Sequence, residues 1–308
     1  MGPAEERRVG GRVFEVAISE GREDVGAGGT GVNPRSLLFV PGDDERKLAK
    51  IPSLTADLVV VDLEDAVAGP MKARAREKIS SHLGALERDV ASRVLVRVNP
   101  APFLEEDIAL IRSLDIAGVV IPKLESPGIA NAIRKAISPR IGAALIIVGG
   151  VESIAGVRGC FTLAESGVDG LYFGAEDFIA DVGGIRTAAG TEVLYARARV
   201  VMAARGAGVA AIDQAVVDVR DLARLEEDAL AARSMGYTGK IALNPSQAQL
   251  INEVFTPTAA EIERAKLVIG AARGGVGVVD GMMVDAVHVR MAETLLERAR
   301  MNPAGPGA

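Results

Sequence analysis

The chain has 308 residues, 49% of them hydrophobic but only 3% aromatic, with no Trp and a net charge of -6. A chain of this size buries a large core without staples, and its acidic balance excludes a general nucleic-acid binder while leaving room for a local cationic pocket. The single cysteine, Cys160, excludes an intrachain disulfide framework, no apolar run reaches the ~18 residues of a membrane span, and the N-terminus lacks a signal-peptide core, so a soluble, cytoplasmic protein is expected.

Residues 1–33 are rich in Gly, Arg and Glu and read as a flexible extension. Their GAGGTG lacks the preceding strand and following helix that a dinucleotide-binding turn needs. From Arg35 onward, short apolar runs alternate with helical segments. The runs are Ser36 to Pro41, Leu58 to Glu64, Arg93 to Val98, Gly118 to Lys123, Ala143 to Val148, Gly170 to Gly174, Val209 to Asp213 and Gly239 to Leu243. Runs apolar on both faces suit a parallel sheet. DDERKLAKIPSL reads as the first of the intervening helices. Eight strands alternating with helices predict a closed (β/α)8 TIM barrel over residues 34–255. Residues 256–308 read as a C-terminal helical extension or lid that contributes to oligomer contacts. It holds a helix with Thr258 and Glu261 at capping-box spacing, the apolar GVGVVDGMMVDAVHV, and a last helix RMAETLLERAR.

In such a barrel the chemistry sits at the C-terminal ends of the strands. Glu152 follows the fifth strand and Asp177 the sixth, which makes them neighbours at the mouth. Two carboxylates suit Mg²⁺, or Mn²⁺ as the alternative. The same two acids also read as helix caps or partners of barrel arginines. No Cys/His cluster supports zinc. Arg97 interrupts an otherwise apolar strand and needs a partner. Glu64 or Asp65 on the neighbouring strand would serve, and so would a substrate carboxylate held bidentately. Asp62 and Glu64 share a face of the second strand, with Asp65 on the turn. Arg35, just before the first strand, stands nearer the barrel floor on simple counting. Lys72 and Arg76 read as helix-surface cations, Lys123 as a charged structural lysine beside Glu125, and Cys160 as a small core residue. The loops QAVVDVRD and NPSQAQ carry no Gly-rich phosphate cradle.

RSLLFVPG, DLEDAV, VRVN, PKLES, VES, FGAEDF and DGMMVD occur in this order between Arg35 and about Arg298. Each is weak alone; together they resemble the citrate lyase β-subunit-like branch of the HpcH/HpaI aldolase/citrate lyase family. The resemblance implies a (β/α)8 barrel acting as a carbon–carbon lyase on hydroxy-acid thioesters. It implies Glu152 and Asp177 as Mg²⁺ ligands, with Glu152 also facing the substrate. Arg97, joined by Arg35, would bind the carboxylate of the oxo-acid portion, and Glu64 would support Arg97 and the metal shell. Asp285 would reach a neighbouring subunit's site as an acid–base residue, in a homo-oligomer, trimeric or hexameric.

The expected reaction splits a 3-hydroxy-acyl thioester of the malyl-CoA, citramalyl-CoA or citryl type, carried on CoA or an acyl carrier, into an acyl thioester and an oxo acid. Two alternatives stand beside it: a metal-dependent aldolase on free hydroxy-oxo acids, and a non-catalytic barrel binding an acyl thioester or a partner. Two residues depart from the family pattern. Asn244 replaces the usual His after the eighth strand, which removes a titratable group near the thioester arm. Ser153 replaces Thr after Glu152 and keeps a hydroxyl.

Overall fold

A computed structural model describes residues 33–141 and 145–301. The expected extension, all but Asn33, lies outside the described residues, as do 143–144 of the fifth expected strand and 302–308 of the last segment. The strands are β1 (Ser36–Pro41), β2 (Leu58–Asp62), β3 (Val94–Arg97), β4 (Gly118–Ile121), β5 (Ile146–Val151), β6 (Gly170–Phe173), β7 (Ala210–Asp213) and β8 (Gly239–Ala242). Each pairs in parallel with the next, and β8 returns to β1, closing the barrel.

The helices are α1 (Glu45–Leu48), α2 (Lys72–Leu83), α3 (Arg88–Ala91), α4 (Leu104–Ile111), α5 (Pro127–Ile141) and α6 (Ile154–Ala164). They continue with α7 (Ala175–Val182), α8 (Leu194–Ala207), α9 (Leu222–Met235), α10 (Pro245–Phe255), α11 (Ala259–Ala271) and α12 (Ala286–Met301). Among the described residues, no helix is long and apolar enough to cross a membrane.

Alternation along each strand divides the core in two. Leu37, Leu58, Val60, Leu95, Val120, Val148, Tyr172, Ile212 and Ile241 fill the barrel interior. Their neighbours, such as Val59, Val61, Val94, Val96 and Leu171, face the helix layer in the larger outer core. Val, Ala, Leu and Ile dominate this outer core, with few rings. Cys160 is fully buried in that outer core, and burial pushes its thiol up, which leaves it a packing residue.

Polar anchors set the helix starts. Asp44, Ser153, Asp221 and Asn244 accept backbone N–H bonds at the N-termini of α1, α6, α9 and α10. The capping box of Thr258 and Glu261 forms at α11. The first expected helix is cut short. α1 ends at Leu48 and only a 3₁₀ turn, Ile51–Ser53, follows, because Pro52 disfavours the α conformation before it and removes an N–H.

A charged cluster lies between the barrel and its helices. Asp213 and Lys240 flank the inward-facing Ile212 and Ile241, so they point outward, and both are 0% exposed. Arg197 on α8 forks onto Asp213 with two 2.7 Å bonds and reaches Asp228 Oδ1 on α9 at 3.0 Å. Lys240 Nζ donates to both Asp213 and Asp228. The cluster holds equal numbers of cations and anions. Burial works against ionisation of Asp228, but Lys240 and Arg197 outweigh it and hold this carboxyl below its usual range.

The segment after α11 was expected only as an apolar break in the pattern. It forms a hairpin of β9 (Gly277–Val279) and β10 (Met282–Val284). Asp280 (φ 49°) and Gly281 (φ 75°) both adopt the left-handed region, as a two-residue hairpin turn requires. The Asp-Gly pair between two apolar triplets was the signal for it. Hairpin, α11 and α12 share a small separate core of Ala265, Val268, Ala272, Val279, Val284 and Ala292.

Candidate active site

The C-terminal ends of the strands open into a cavity of about 470 Å³ whose lining includes Phe39, Asp62, Asp65, Arg97, Glu152, Tyr172, Glu176 and Asp177. Residue period and register place them. Asp62 ends β2 opposite Arg97, which ends β3, and both continue inward-facing rows. Asp62 accepts Arg97 Nε (2.7 Å) and Nη2 (2.6 Å), and also the backbone N–H groups of Glu64 and Ala66. The bidentate partner of Arg97 is therefore Asp62, and the expected ion pair with Glu64 forms beside it. Arg97 Nη1 lies 3.0 Å from Glu64 Oε2 without hydrogen-bond alignment. The guanidinium stacks 5.1 Å from the Phe39 ring. Burial would weaken its charge, but Asp62 and its neighbours push it far the other way, so Arg97 is a permanent cation.

Lys72 is no surface cation. Its Nζ is buried and donates to the carbonyls of Leu63 (2.8 Å) and Glu64 (2.9 Å) and to Asn99 Oδ1 (2.5 Å). It pins the turn that carries Glu64. Arg76 is likewise part-buried, with Nε 2.7 Å from the buried Asp107. Composition reads both as surface cations because their partners, the turn after β2 for Lys72 and the start of α4 for Arg76, are distant in sequence and leave no local signal.

Lys123 sits in the left-handed region (φ 47°). Its Nζ reaches Glu64 at 2.7 Å, Asp65 at 3.4 Å and Asp177 at 3.5 Å. Glu125 instead accepts Ser153 Oγ at 2.5 Å. Burial opposes the Lys123 charge, but Glu64, then Asp177 and Asp65, raise the ammonium well above its ordinary value. Lys123 thus stays a cation and is unsuited to a Schiff base.

Glu152 follows β5 directly and is 3% exposed. Tyr172 Oη is hydrogen-bonded to its Oε1, while Oε2 has no partner among the described residues. Burial pushes this carboxyl up to about 7, outweighing the Tyr172 bond, with Asp177 adding to the rise. Asp177 lies in the first turn of α7, where the helix N-terminus favours an anion. Among the described residues no group of three or more His, Cys, Asp or Glu forms a metal cage. Glu152 and Asp177 instead fit an ion that takes one or two carboxylates and keeps water or substrate oxygens, and the orphaned buried Oε2 is the atom such an ion would satisfy.

A carboxyl raised from 4.5 to about 7 favours the folded state while protonated. That contribution is complete below about pH 4.5 and is lost as the pH rises through about 7. In EDTA-treated protein, Glu152→Gln is therefore expected to remove up to about 3 kcal/mol of pH-dependent stability over this window. Tm against pH for both proteins measures it.

Arg35 is not at the mouth. It precedes β1 at the opposite end of the barrel, where Nε and Nη2 grip Asp57 (2.9 and 2.7 Å) and Nη1 donates to Thr256 (2.8 Å). A residue before a strand cannot reach that strand's C-terminal end, so its expected place beside Arg97 is overturned. Asp285 does not line the cavity of its own barrel. It starts α12, with Oδ1 accepting Val287 N–H (2.9 Å) and lying 2.8 Å from His288 Nδ1, which holds its carboxyl below the usual range. Asn244 caps α10 by accepting Gln247 N–H (2.9 Å) and donates to Val219 O (3.0 Å), so it ties the two loops after β7 and β8 together.

Comparison with known proteins agrees with this geometry. The family model for HpcH/HpaI aldolase/citrate lyase matches residues 35–245. A citrate lyase subunit beta-like protein of Deinococcus radiodurans is 40% identical, covering 85% of this chain and 96% of its own. The mitochondrial citramalyl-CoA lyase of Homo sapiens is 30% identical, covering 86% of this chain and 85% of its own. The crystal structure of CitE from Mycobacterium tuberculosis with magnesium, acetoacetate and coenzyme A superposes with a TM-score of 0.75 at 28% identity, covering 88% of this chain and 99% of that one. Eight closed staves, acids at the mouth and these matches lead to one conclusion: the chain belongs to the HpcH/HpaI aldolase/citrate lyase family.

Proposed function

We propose that this lyase cleaves a 3-hydroxy-acyl-CoA, with a carboxylate on its hydroxyl-bearing carbon, into an acyl-CoA and an oxo acid. The observation that carries the reading is the unpartnered Oε2 of Glu152, sharing one cavity with Asp177 and Arg97. Glu152 and Asp177 would hold Mg²⁺, which supplies Lewis-acid polarisation of the substrate's hydroxyl and carboxylate oxygens. The CitE complex with magnesium and coenzyme A and the name of the human relative support that choice of ion and carrier.

Each of the chain's own residues then has a task. Asp62 occupies the side edge of Arg97 and Glu64 Oε2 lies 3.0 Å from Nη1, so a substrate carboxylate would share the Nη1 side of the guanidinium with Glu64. Glu64 and Lys123 hold one another and set the charge balance beside Asp177. The apolar faces of Phe39, Ala215 and Ile241 exclude water from the reacting carbon. Next to the cavity, a groove of about 330 Å³ shares Phe39, Pro41, Lys47 and Leu243 with it and adds Lys50 and Asn244. It suits the thioester arm, with the two lysines toward phosphates. Asp285 of a second copy would handle a proton at the hydroxyl or the departing carbon, in a cytoplasmic homo-oligomer.

A Mg²⁺-dependent cleavage screen over malyl-CoA, citramalyl-CoA, citryl-CoA and their free acids tests the reading. Cleavage of one CoA ester and none of the acids is expected. Cleavage of an acid alone would replace the thioester lyase with an aldolase, and silence throughout would leave a binding barrel.

A further inference from the structure

Tyr172 is a buried polar group that the reaction above does not use. It is the inward residue of β6, 2% exposed, and a phenol at neutral pH is an O–H donor. Its hydroxyl lies on Glu152 Oε1, whereas Oε2 of the same carboxylate is buried and unpartnered. The two oxygens of one ligand are thus unequal. The arrangement is built in. The Tyr172 ring is fixed edge-on to Phe39, with centroids 6.2 Å apart. A Cβ at Gly150 would run into both Tyr172 Oη and Glu152 Oε1, and a Cβ at Gly174 would fall 2.6 Å from Glu152 Cγ. Glycine at both places leaves room for this pair.

We propose that Tyr172 is a positioning residue that occupies Glu152 Oε1, presents Oε2 alone to a divalent cation, and so makes the site select Mg²⁺ over Ca²⁺. The inference rests on the metal reading given above. Mg²⁺ demands a tight octahedron and keeps several waters, which suits one oxygen per carboxylate. Ca²⁺ takes six to eight oxygens at longer range and commonly uses both oxygens of a carboxylate. A carboxylate with one oxygen already hydrogen-bonded disfavours that second mode.

Titration calorimetry of the full, EDTA-treated chain with Mg²⁺ and with Ca²⁺ tests this, using wild type, Tyr172→Phe, Gly150→Ala and Glu152→Gln. Glu152→Gln is expected to lose both ions. Tyr172→Phe frees Oε1: Mg²⁺ affinity falls roughly tenfold, as for loss of an outer-shell partner, while Ca²⁺ affinity holds or improves. The preference for Mg²⁺ over Ca²⁺ then drops by about tenfold or more. Gly150→Ala, whose Cβ would fall on Glu152 Oε1 as well as on Tyr172 Oη, is expected to weaken both ions and serves as the control for displacement of the ligand itself. In Tyr172→Phe, equal weakening of both ions, or an unchanged ratio, overturns the inference while leaving the metal reading intact. Wild type that binds neither ion overturns both.

Discussion

Asp177→Ala is expected to abolish Mg²⁺ binding and to lower kcat by about 10³-fold or more, equivalent to about 4 kcal/mol of lost transition-state stabilisation. The size follows from the ligand count. In the reading proposed above the ion rests on Glu152 and Asp177, so removal of Asp177 would leave Glu152 to hold it alone. The fold does not depend on Asp177. It is partly exposed at the start of α7, and Lys123 keeps Glu64 at 2.7 Å and Asp65 at 3.4 Å without it. The variant should therefore melt within about 1 °C of wild type, in line with a surface substitution. Calorimetry with Mg²⁺ beside a turnover assay checks it, and full activity in Asp177→Ala would sink the metal assignment.

The second large effect concerns stability. Lys240→Met is expected to destabilise the protein by about 3–5 kcal/mol, the usual cost of stranding a buried charge. Met matches the length of the lysine stem but leaves Asp213 and Asp228 to share Arg197, an excess negative charge in a fully buried layer. On a chain of this size the fall in Tm is on the order of 10 °C. Charge balance, rather than the lysine itself, is what matters here. Lys240→Met combined with Asp228→Asn returns the cluster to one cation and one anion, Arg197 on Asp213, and should recover much of the loss. Additive damage in the double variant, read from thermal melts of all four proteins of the cycle, would refute the balance argument.

Much of the barrel is legible in the residues because eight runs buried on both faces leave few other architectures. The strand edges shift by a few residues where polar ends such as Glu64 and Lys123 turn out of the sheet. Glu152, Asp177 and Arg97 could be placed at the mouth from the sequence because each lies at or just past the C-terminal end of a strand. Lys72, Lys123 and Tyr172 could not. Lys72 is brought in by a turn, Lys123 by a left-handed backbone, and Tyr172 by one step of alternation in β6 that puts it inward while Phe173 faces out. Arg35 shows the opposite lesson: counting along β1 put it at the floor, and its grip on Asp57 keeps it there.

The small core beneath the hairpin is separate from the core between the barrel and its helices. Ala265, Val268, Val279 and Val284 bury far less apolar area than the staves and their helices, so less free energy holds that unit closed. Its amides are expected to exchange faster than those of the barrel strands, which hydrogen exchange measures. Asp285, at the junction of β10 and α12, belongs to that smaller unit and not to the barrel that carries the acids at the mouth.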